Sequence, residues 1–296
     1  MPMVYLHVLP VKKRFTLQSK ILIILPMALA ELALMADIHM GAADKYPDSY
    51  PDVALWETYF TEIKGQLQNT KTDALVIAGD LTHDATIAQA KALAPLLGQL
   101  DTPKIAVKGN HDFRGDYEAQ VQKIFEEAGV VFLDEEYTVL TINGKEIAFY
   151  GFSGFPGKVE ETETTKLPLL EDRMRQNHAH TEKYVSKLHH ALIDLDAKGI
   201  PTVVITHYAP TGGTIDAEFP FAFSPNLSPL IAAEIDQHKN VQLIVHGHTH
   251  DRTAPFRGFP SSTTPGGIPI ENVAAPMLLR LSPVVNPPVV RRSIQC

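Results

Sequence analysis

The chain has 296 residues, of which 45% are hydrophobic and 20% charged, so it can bury a core and is neither disordered nor fibrous. Its formal net charge of −8, from 26 Lys and Arg against 34 Asp and Glu, argues against a broad nucleic-acid-binding surface. The one cysteine, Cys296, excludes an internal disulfide and a thiolate zinc site. The 13 histidines are the unusual feature, since imidazole is a common metal ligand and titrates near neutral pH.

The first 30 residues differ from the rest of the chain. They contain four basic residues and no acidic one, and an apolar run from Ile21 ends in the small-x-small sequence Ala28-Leu29-Ala30. The run is too short to span a bilayer as a helix, so we predict no transmembrane span. Residues 1–30 are either a cleaved secretory signal, an extension upstream of a true start at Met27, or an integral strand or anchor. We favour a cytoplasmic location, and a secreted or periplasmic one if the signal is cleaved.

The remaining sequence alternates strand and helix patterns. Short apolar runs rich in β-branched residues predict buried strands over Ala33–Ala36, Ala74–Ala78, Ile105–Val107, Val130–Leu133, Ile147–Tyr150, Thr202–Thr206 and Val241–Val245. Apolar residues at helical spacing predict helices over Trp56–Leu67 (starting near Pro51-Asp52), Ile87–Leu100 (interrupted by Pro95), Tyr117–Ala128 and Tyr184–Ala197. The pattern is typical of a layered α/β domain, which we place at 31–282, with an insertion or lid loop at 151–180 and an extended tail at 283–296.

Unusual polar groups follow five of the predicted strands directly. They are Asp37-Ile38-His39, Gly79-Asp80 with His83 and Asp84, Gly109-Asn110-His111-Asp112, His207, and His246-Gly247-His248-Thr249-His250. Each of the first four alone is typical of a turn, a cap or a buried histidine. In open α/β sheets, however, ligands bind beyond the carboxyl ends of the strands, so all five clusters can converge on one site.

The chemistry of these side chains indicates a metal centre. Carboxylate, imidazole and amide oxygen without thiolate suit Mn, Fe or Zn. Seven such groups exceed what one ion normally takes from a protein, and a shared carboxylate would let them hold two ions.

The order and spacing of these motifs resemble the calcineurin-like metallophosphoesterase superfamily, whose signature is D-x-H, G-D-x-x-D, G-N-H-D/E, a lone H and G-H-x-H. The match runs from Asp37 to His250. The resemblance implies a four-layer α/β/β/α sandwich with a di-metal site at the carboxyl ends of the strands, although spacing alone does not distinguish it from a doubly wound sheet. It implies that one metal is bound by Asp37, His39 and His250, that the second is bound by Asn110, His207 and His248, that Asp80 bridges them, and that His111 is catalytic.

Four further residues are weaker candidates for substrate contacts or for support of the ligands. The second Asp of G-D-x-x-D is replaced by His83, with Asp84 one position later, which leaves open what supports His111. Arg114 follows the G-N-H-D motif, and His246 precedes G-H-x-H.

The function implied by the resemblance is hydrolysis of a phosphodiester or phosphomonoester by a metal-activated hydroxide, with two divalent or trivalent ions of Mn, Fe or Zn. We expect a small phosphorylated substrate and no nucleic acid, and the sequence leaves the oligomeric state open. The alternative is a catalytically silent scaffold with the same fold, against which the retained His111 and ligand set argue.

Overall fold

The structure, a computed structural model, describes residues 29–47, 50–153, 168–214, 228–249, 261–275 and 289–295, with side chains from residue 182 onward in the helix that begins at Pro168. Within these ranges the strands form two sheets. The strands of the first sheet, in spatial order, are β11 (Val290–Gln295), β1 (Leu29–Met35), β2 (Ala74–Ala78), β3 (Lys104–Val107) and β4 (Val130–Phe132). Those of the second sheet are β5 (Glu136–Ile142), β6 (Lys145–Phe152), β7 (Thr202–Thr206), β8 (Val241–His246), β10 (Pro269–Asn272) and β9 (Ser261–Thr263).

Both sheets are parallel at their centres, and antiparallel strands lie at one edge of the first sheet and at both edges of the second. Strands β1 to β4 pair in parallel, and β11 runs antiparallel to β1. In the second sheet β6, β7, β8 and β10 are parallel, and β5 and β9 are antiparallel edge strands. The carboxyl ends of the parallel strands in each sheet therefore lie side by side at the same end of that sheet.

Helices cover the outer face of each sheet. They are α1 (Val53–Asn69), α2 (Ile87–Gly98), α3 (Glu118–Glu127), α4 (Pro168–Lys198) and α5 (Ser228–Ile235), with short 3-10 helices at Ala42–Asp44 and Gly212–Thr214. The predicted start of α1 is confirmed, because the Asp52 carboxylate accepts the Leu55 N–H at 2.8 Å as an N-cap. Helix α2 continues through Pro95 to Gly98 and is not interrupted there.

Alternation along the strands produces three apolar layers. In β2, Leu75 and Ile77 pack with α1, α2 and α3, whereas Val76 faces the second sheet. In β7, Val203 faces the first sheet and Val204 packs beneath α4 and α5. Since successive side chains of a strand point to opposite faces, each sheet has one face toward helices and one toward the other sheet. The predicted four-layer sandwich is therefore confirmed, and a single doubly wound sheet is excluded for the described residues.

Residues 283–296, predicted to be an extended tail, include a strand of the first sheet. Residues 290–295 form β11, which pairs with β1 in the register Ala30↔Ile294. Ile294 is buried between the two sheets, and Arg292 on the same face donates to Glu271 of β10 at 2.6 Å. The prediction of a tail was wrong for these residues, because a short segment with one apolar side chain every fourth residue only becomes a strand when a partner edge is present.

The boundaries at 30 and at 151–180 also differ from the prediction. Leu29 and Ala30, assigned to the leader, belong to β1, and residues 1–28 lie outside the described part of the chain. Gly151 and Phe152 belong to β6, and the helix predicted to begin at Tyr184 begins at Pro168. The segment predicted to be an insertion or lid loop therefore overlaps β6 and α4, and residues 154–167 of it lie outside the described part of the chain.

The edge strand β5 was missed by the sequence analysis. It joins β6 through Asn143 and Gly144, which have φ of 52° and 79°. Asn-Gly is the preferred sequence for a two-residue hairpin turn with both φ values positive. This dipeptide was the available signal.

Candidate metal centre

The carboxyl ends of strands from both sheets meet at one edge of the sandwich. The Asp37 N–H donates to the Gly79 carbonyl at 3.0 Å, which joins the loops after β1 and β2. The His111 N–H donates to the Asp80 carboxylate at 2.8 Å, which joins the loops after β2 and β3. The His248 N–H donates to the Asp37 carboxylate at 2.9 Å, which links the second sheet to the first. The predicted convergence of the strand-end motifs is therefore what the structure shows for the described residues.

Asp80 lies at the centre of this cluster and is 1% exposed. Its Oδ2 atom is 3.4 Å from Nε2 of His39 and 3.4 Å from Nε2 of His207, both longer than a good hydrogen bond. Potential ligand atoms within 4.8 Å of one another form two groups that share Asp80: one with Asp37 and His39, the other with His207 and His248. The geometry thus provides two neighbouring positions on either side of one carboxylate.

His207 is oriented in the way that a metal ligand requires. Its Nδ1 lies 2.9 Å from the Ala78 carbonyl, to which it donates, so the neutral form of the ring, which is the form that binds a metal, has its lone pair on Nε2. That Nε2 faces the side-chain oxygen of Asn110 at 3.0 Å as well as Asp80. Burial disfavours the imidazolium form, but the Asp80 carboxylate raises the pKa of His207 to about 9. The Nε2 atom of His207 and the oxygens of Asn110 and Asp80 therefore face one another, an arrangement that fits a bound cation.

His111 is held by a backbone carbonyl. Its Nδ1 lies 2.7 Å from the carbonyl oxygen of His83, and burial lowers its pKa to about 3. The His83 ring lies beside the His111 ring, with centroids 4.8 Å apart and planes 31° apart. Asp84 instead pairs with Lys45 at 2.8 Å and contacts Gln89. The acceptor that His111 Nδ1 meets is therefore the His83 carbonyl and not the Asp84 carboxylate.

Asp112 was not assigned a role from the sequence, yet it connects two loops of the site. Its buried carboxylate accepts the N–H groups of Leu81, Thr82 and Gly109 and the hydroxyl of Thr82, at 2.9 to 3.2 Å. Burial and the neighbouring Asp80 raise the pKa of Asp112 to about 6, and the four donors oppose that rise. Asp112 holds Asp80 and His111 in place indirectly, and its place at the end of the G-N-H-D motif was the signal for it.

The backbone of the site is strained where ligands are predicted. Asp37, His39, Asp80 and His248 have φ between 48° and 65°, a region that non-glycine residues seldom adopt. A Cβ atom on Gly109 would collide with the Asp80 carboxylate and with its backbone nitrogen. Strain of this kind persists only when surrounding contacts fix it, and it concentrates at functional sites.

The remaining candidates divide into three cases. His246 is buried, and its Nε2 lies 2.8 Å from the hydroxyl of Thr214 in the 3-10 helix at Gly212–Thr214. It belongs to neither of the two ligand groups that share Asp80. Arg114 is exposed, and its N–H donates to the His111 carbonyl at 3.3 Å. His250 lies outside the described residues.

Two aromatic side chains that the sequence analysis did not place also line the site. The Tyr208 ring lies 4.2 Å from the His248 ring, and the Tyr50 ring meets the His39 ring edge-on at 5.1 Å. Burial raises the pKa of Tyr208, which keeps its hydroxyl neutral. These rings restrict the orientation of the two imidazoles.

A family model described as calcineurin-like phosphoesterase matches residues 31–252. The chain belongs to this family. The resemblance inferred from the motifs is confirmed, and so is the expectation of a hydrolase that acts on phosphoester bonds. The calcineurin-like phosphoesterases depend on metal, and the Asp and His groups described above are able to bind it.

Two curated relatives are similar in sequence to this phosphoesterase, and both are called "probable cyclic nucleotide phosphodiesterase". The protein from Vesicomyosocius okutanii is 26% identical over 197 residues, 66% of this chain and 70% of its own length. The protein from Ruthia magnifica is 41% identical over 51 residues, 17% of this chain and only 22% of its own length.

Solved structures agree on the fold. A dimetal phosphatase from Danio rerio superposes with a TM-score of 0.57 at 14% identity, over 84% of this chain and 88% of that one. The sulfate thiohydrolase SoxB of Thermus thermophilus superposes with a TM-score of 0.51 at 13% identity, over 84% of this chain and 52% of that one. Among the described residues, no helix is both long and apolar enough to cross a membrane.

Proposed function

We propose that this calcineurin-like phosphoesterase hydrolyses a phosphodiester or phosphomonoester at a centre that holds two metal ions. The observation that carries the proposal is the position of Asp80, whose carboxylate belongs to both groups of potential ligands. In this proposal Asp37, His39 and His250 complete the first position. Asn110, His207 and His248 complete the second.

The donor set fits the proposed ions. It consists of carboxylates, imidazoles and one amide oxygen without thiolate, which suits Mn, Fe or Zn. When bound, two such ions neutralise charge on a phosphoryl group and lower the pKa of a coordinated water. Two divalent ions would bring four positive charges against the two negative charges of Asp37 and Asp80, so an acidic protein would still offer an electropositive site to an anionic substrate.

His111 is the proposed catalytic residue. Its Nδ1–H is occupied by the His83 carbonyl, so Nε2 is the atom available to the substrate. The negative charge of a bound phosphoryl group raises the pKa of a nearby imidazole, which turns Nε2 from an acceptor into a donor. The imidazolium can then donate a proton or a hydrogen bond to the leaving oxygen.

A phosphodiester is the substrate class that we place first. The support comes from the two relatives, which carry the name of cyclic nucleotide phosphodiesterases. We infer that a cyclic nucleotide is the first substrate to test with this chain. In this proposal Tyr50 and Tyr208, which pack on His39 and His248, border the space that the substrate enters.

The test combines metal analysis with a substrate comparison. Purified protein is assayed for bound metal and, with added Mn²⁺, for hydrolysis of bis-(p-nitrophenyl) phosphate, p-nitrophenyl phosphate and 3′,5′-cyclic AMP. The proposal expects metal in the protein and turnover of at least one ester. Metal-free protein without turnover on any of the three would support the scaffold function instead.

A further inference from the structure

A second group of potential ligands lies away from the centre described above. Its atoms come from His189 on α4, Glu234 on α5 and His238 in the turn after α5. Oε1 of Glu234 is 2.8 Å from Nδ1 of His189 and 2.8 Å from Nε2 of His238. Glu234 and His238 are buried, whereas the His189 side chain is 43% exposed. The group therefore sits at the solvent edge of the apolar layer between the helices and the second sheet.

The position of this group excludes a part in the phosphoesterase centre. His238 comes three residues before β8 begins at Val241, whereas His248 follows the carboxyl end of the same strand. A strand of this length spans about 20 Å at ~3.3 Å per residue. The two groups lie at opposite ends of β8.

Each ring nitrogen of His238 faces a carboxylate oxygen, so a second proton or a metal ion is required at one of the two contacts. Its Nδ1 lies 2.8 Å from the Asp196 carboxylate, and its Nε2 lies 2.8 Å from that of Glu234. A neutral imidazole carries one proton, so only one of these contacts can be an N–H donation. The other requires either a second proton, on the ring or on the carboxylate, or a metal ion that the nitrogen and the oxygen bind together.

Asp196 makes the metal the better match. Its second carboxylate oxygen accepts the Asn240 N–H at 3.2 Å, which fixes the carboxylate beside Nδ1 of His238. A histidine that donates one ring N–H to a carboxylate and turns the other nitrogen to a metal is the usual arrangement in zinc sites. The Glu234 carboxylate remains ionised, since the opposing effect of burial on its pKa is outweighed by the two imidazoles, which lower it.

We propose that His189, Glu234 and His238 form a metal site that binds one Zn²⁺ ion and links α4 to α5. Two imidazoles and one carboxylate are a common zinc ligand set, with ligands about 2.0–2.2 Å from the ion. The Glu234 oxygen lies 2.8 Å from each imidazole nitrogen, which is closer than tetrahedral coordination requires, so binding of the ion moves this oxygen away from both nitrogens by about 0.5 Å. The exposed side of His189 leaves the fourth position to water or to a further ligand.

The experiment counts bound Zn²⁺ after equilibrium dialysis, by mass spectrometry of the metal. We compare wild type with Glu234→Gln, His238→Gln and His189→Gln, and use His190→Gln as the matched control, since exposed His190 bonds only to the Ser186 carbonyl among its described contacts other than the His189 ring. Each ligand variant is expected to hold one Zn²⁺ fewer per chain, or to bind it at least tenfold more weakly. The control keeps the wild-type number.

Two further measurements keep the result decisive. The ligand variants should retain wild-type hydrolysis of bis-(p-nitrophenyl) phosphate, which shows that the lost ion is not at the phosphoesterase centre. If the buried variants fail to fold by circular dichroism, the half-exposed His189→Gln decides alone. Wild-type Zn²⁺ number and affinity in folded His189→Gln would overturn the proposal, and the contacts of His238 with Asp196 and Glu234 would then be hydrogen bonds only.

Discussion

The two ends of β8 carry polar clusters that are built on different backbones. At the carboxyl end, potential ligands sit on loops, and several of them have positive φ. At the amino end, His189 and Glu234 sit on regular helices with ordinary backbone, and only His238 lies in a turn. The first cluster needs a particular path of the chain, whereas the second needs only that two helices pack together. Substitutions should therefore affect function at the first edge and local stability at the second.

The largest expected effect is that of Asp80→Ala, since this carboxylate lies in both ligand groups. We expect loss of bound metal and a fall in kcat/KM of at least about 10³-fold. The measurements are metal content and hydrolysis of bis-(p-nitrophenyl) phosphate. Asp194→Ala is the control, because Asp194 is an exposed carboxylate paired with Lys198 on α4. Retained metal in the Asp80 variant would remove the basis for a shared centre.

The next effect is that of His111→Ala, which separates chemistry from metal binding. We expect kcat to fall by about 10²–10⁴-fold while metal content stays close to that of wild type. His190→Ala, a remote exposed histidine, serves as the control. Full turnover in His111→Ala would show that another group acts on the leaving oxygen.

A glycine pair tests whether the path of the backbone limits the first cluster. Gly109→Ala places a Cβ against Asp80 and is expected to cost about 1–3 kcal/mol of stability and to weaken metal binding. Gly65→Ala in α1 meets nothing within 4 Å and is expected to stabilise the protein by about 0.5–1 kcal/mol. Thermal unfolding and metal titration give both quantities. Equal shifts in Tm for the two variants would contradict the strained-loop account.

The smallest expected effect is a pH-dependent change in Tm at the group of His189, Glu234 and His238. Burial raises the pKa of Glu234, but hydrogen bonds from His238 and His189 lower it by more, so that it is lowered overall in the folded protein. Asp196 is the other carboxylate that contacts His238. Because the folded-state pKa lies below that of the unfolded chain, this stabilisation is complete above pH 4.5, the ordinary pKa of the group, and is lost as the pH falls through the folded-state value. The Tm difference between metal-free wild type and Glu234→Gln should shrink from about pH 6 to about pH 3. A difference that stays constant would mean that the carboxylate is not stabilised by the imidazoles.

Much of the first cluster could be predicted from the sequence because its information is local. The strands β2 and β7 were predicted to the residue, and the polar groups that follow them lie where parallel strands end. The partner of His111 could not be predicted, because it is a backbone carbonyl, and every residue type carries one. Strand β11 and the group of His189, Glu234 and His238 were not predicted either, since each depends on contacts between segments that are far apart in the chain.

The residue types at the strand ends, their order along the chain and the family that they indicate could all be predicted from the sequence. These follow from residue identity and from the rule that strand ends of parallel sheets share an edge. The three-dimensional structure was needed to show that the strands divide into two sheets, that the His83 carbonyl contacts His111, and that α4 and α5 bring His189 to Glu234. Those outcomes depend on packing between segments distant in sequence, which local patterns do not encode.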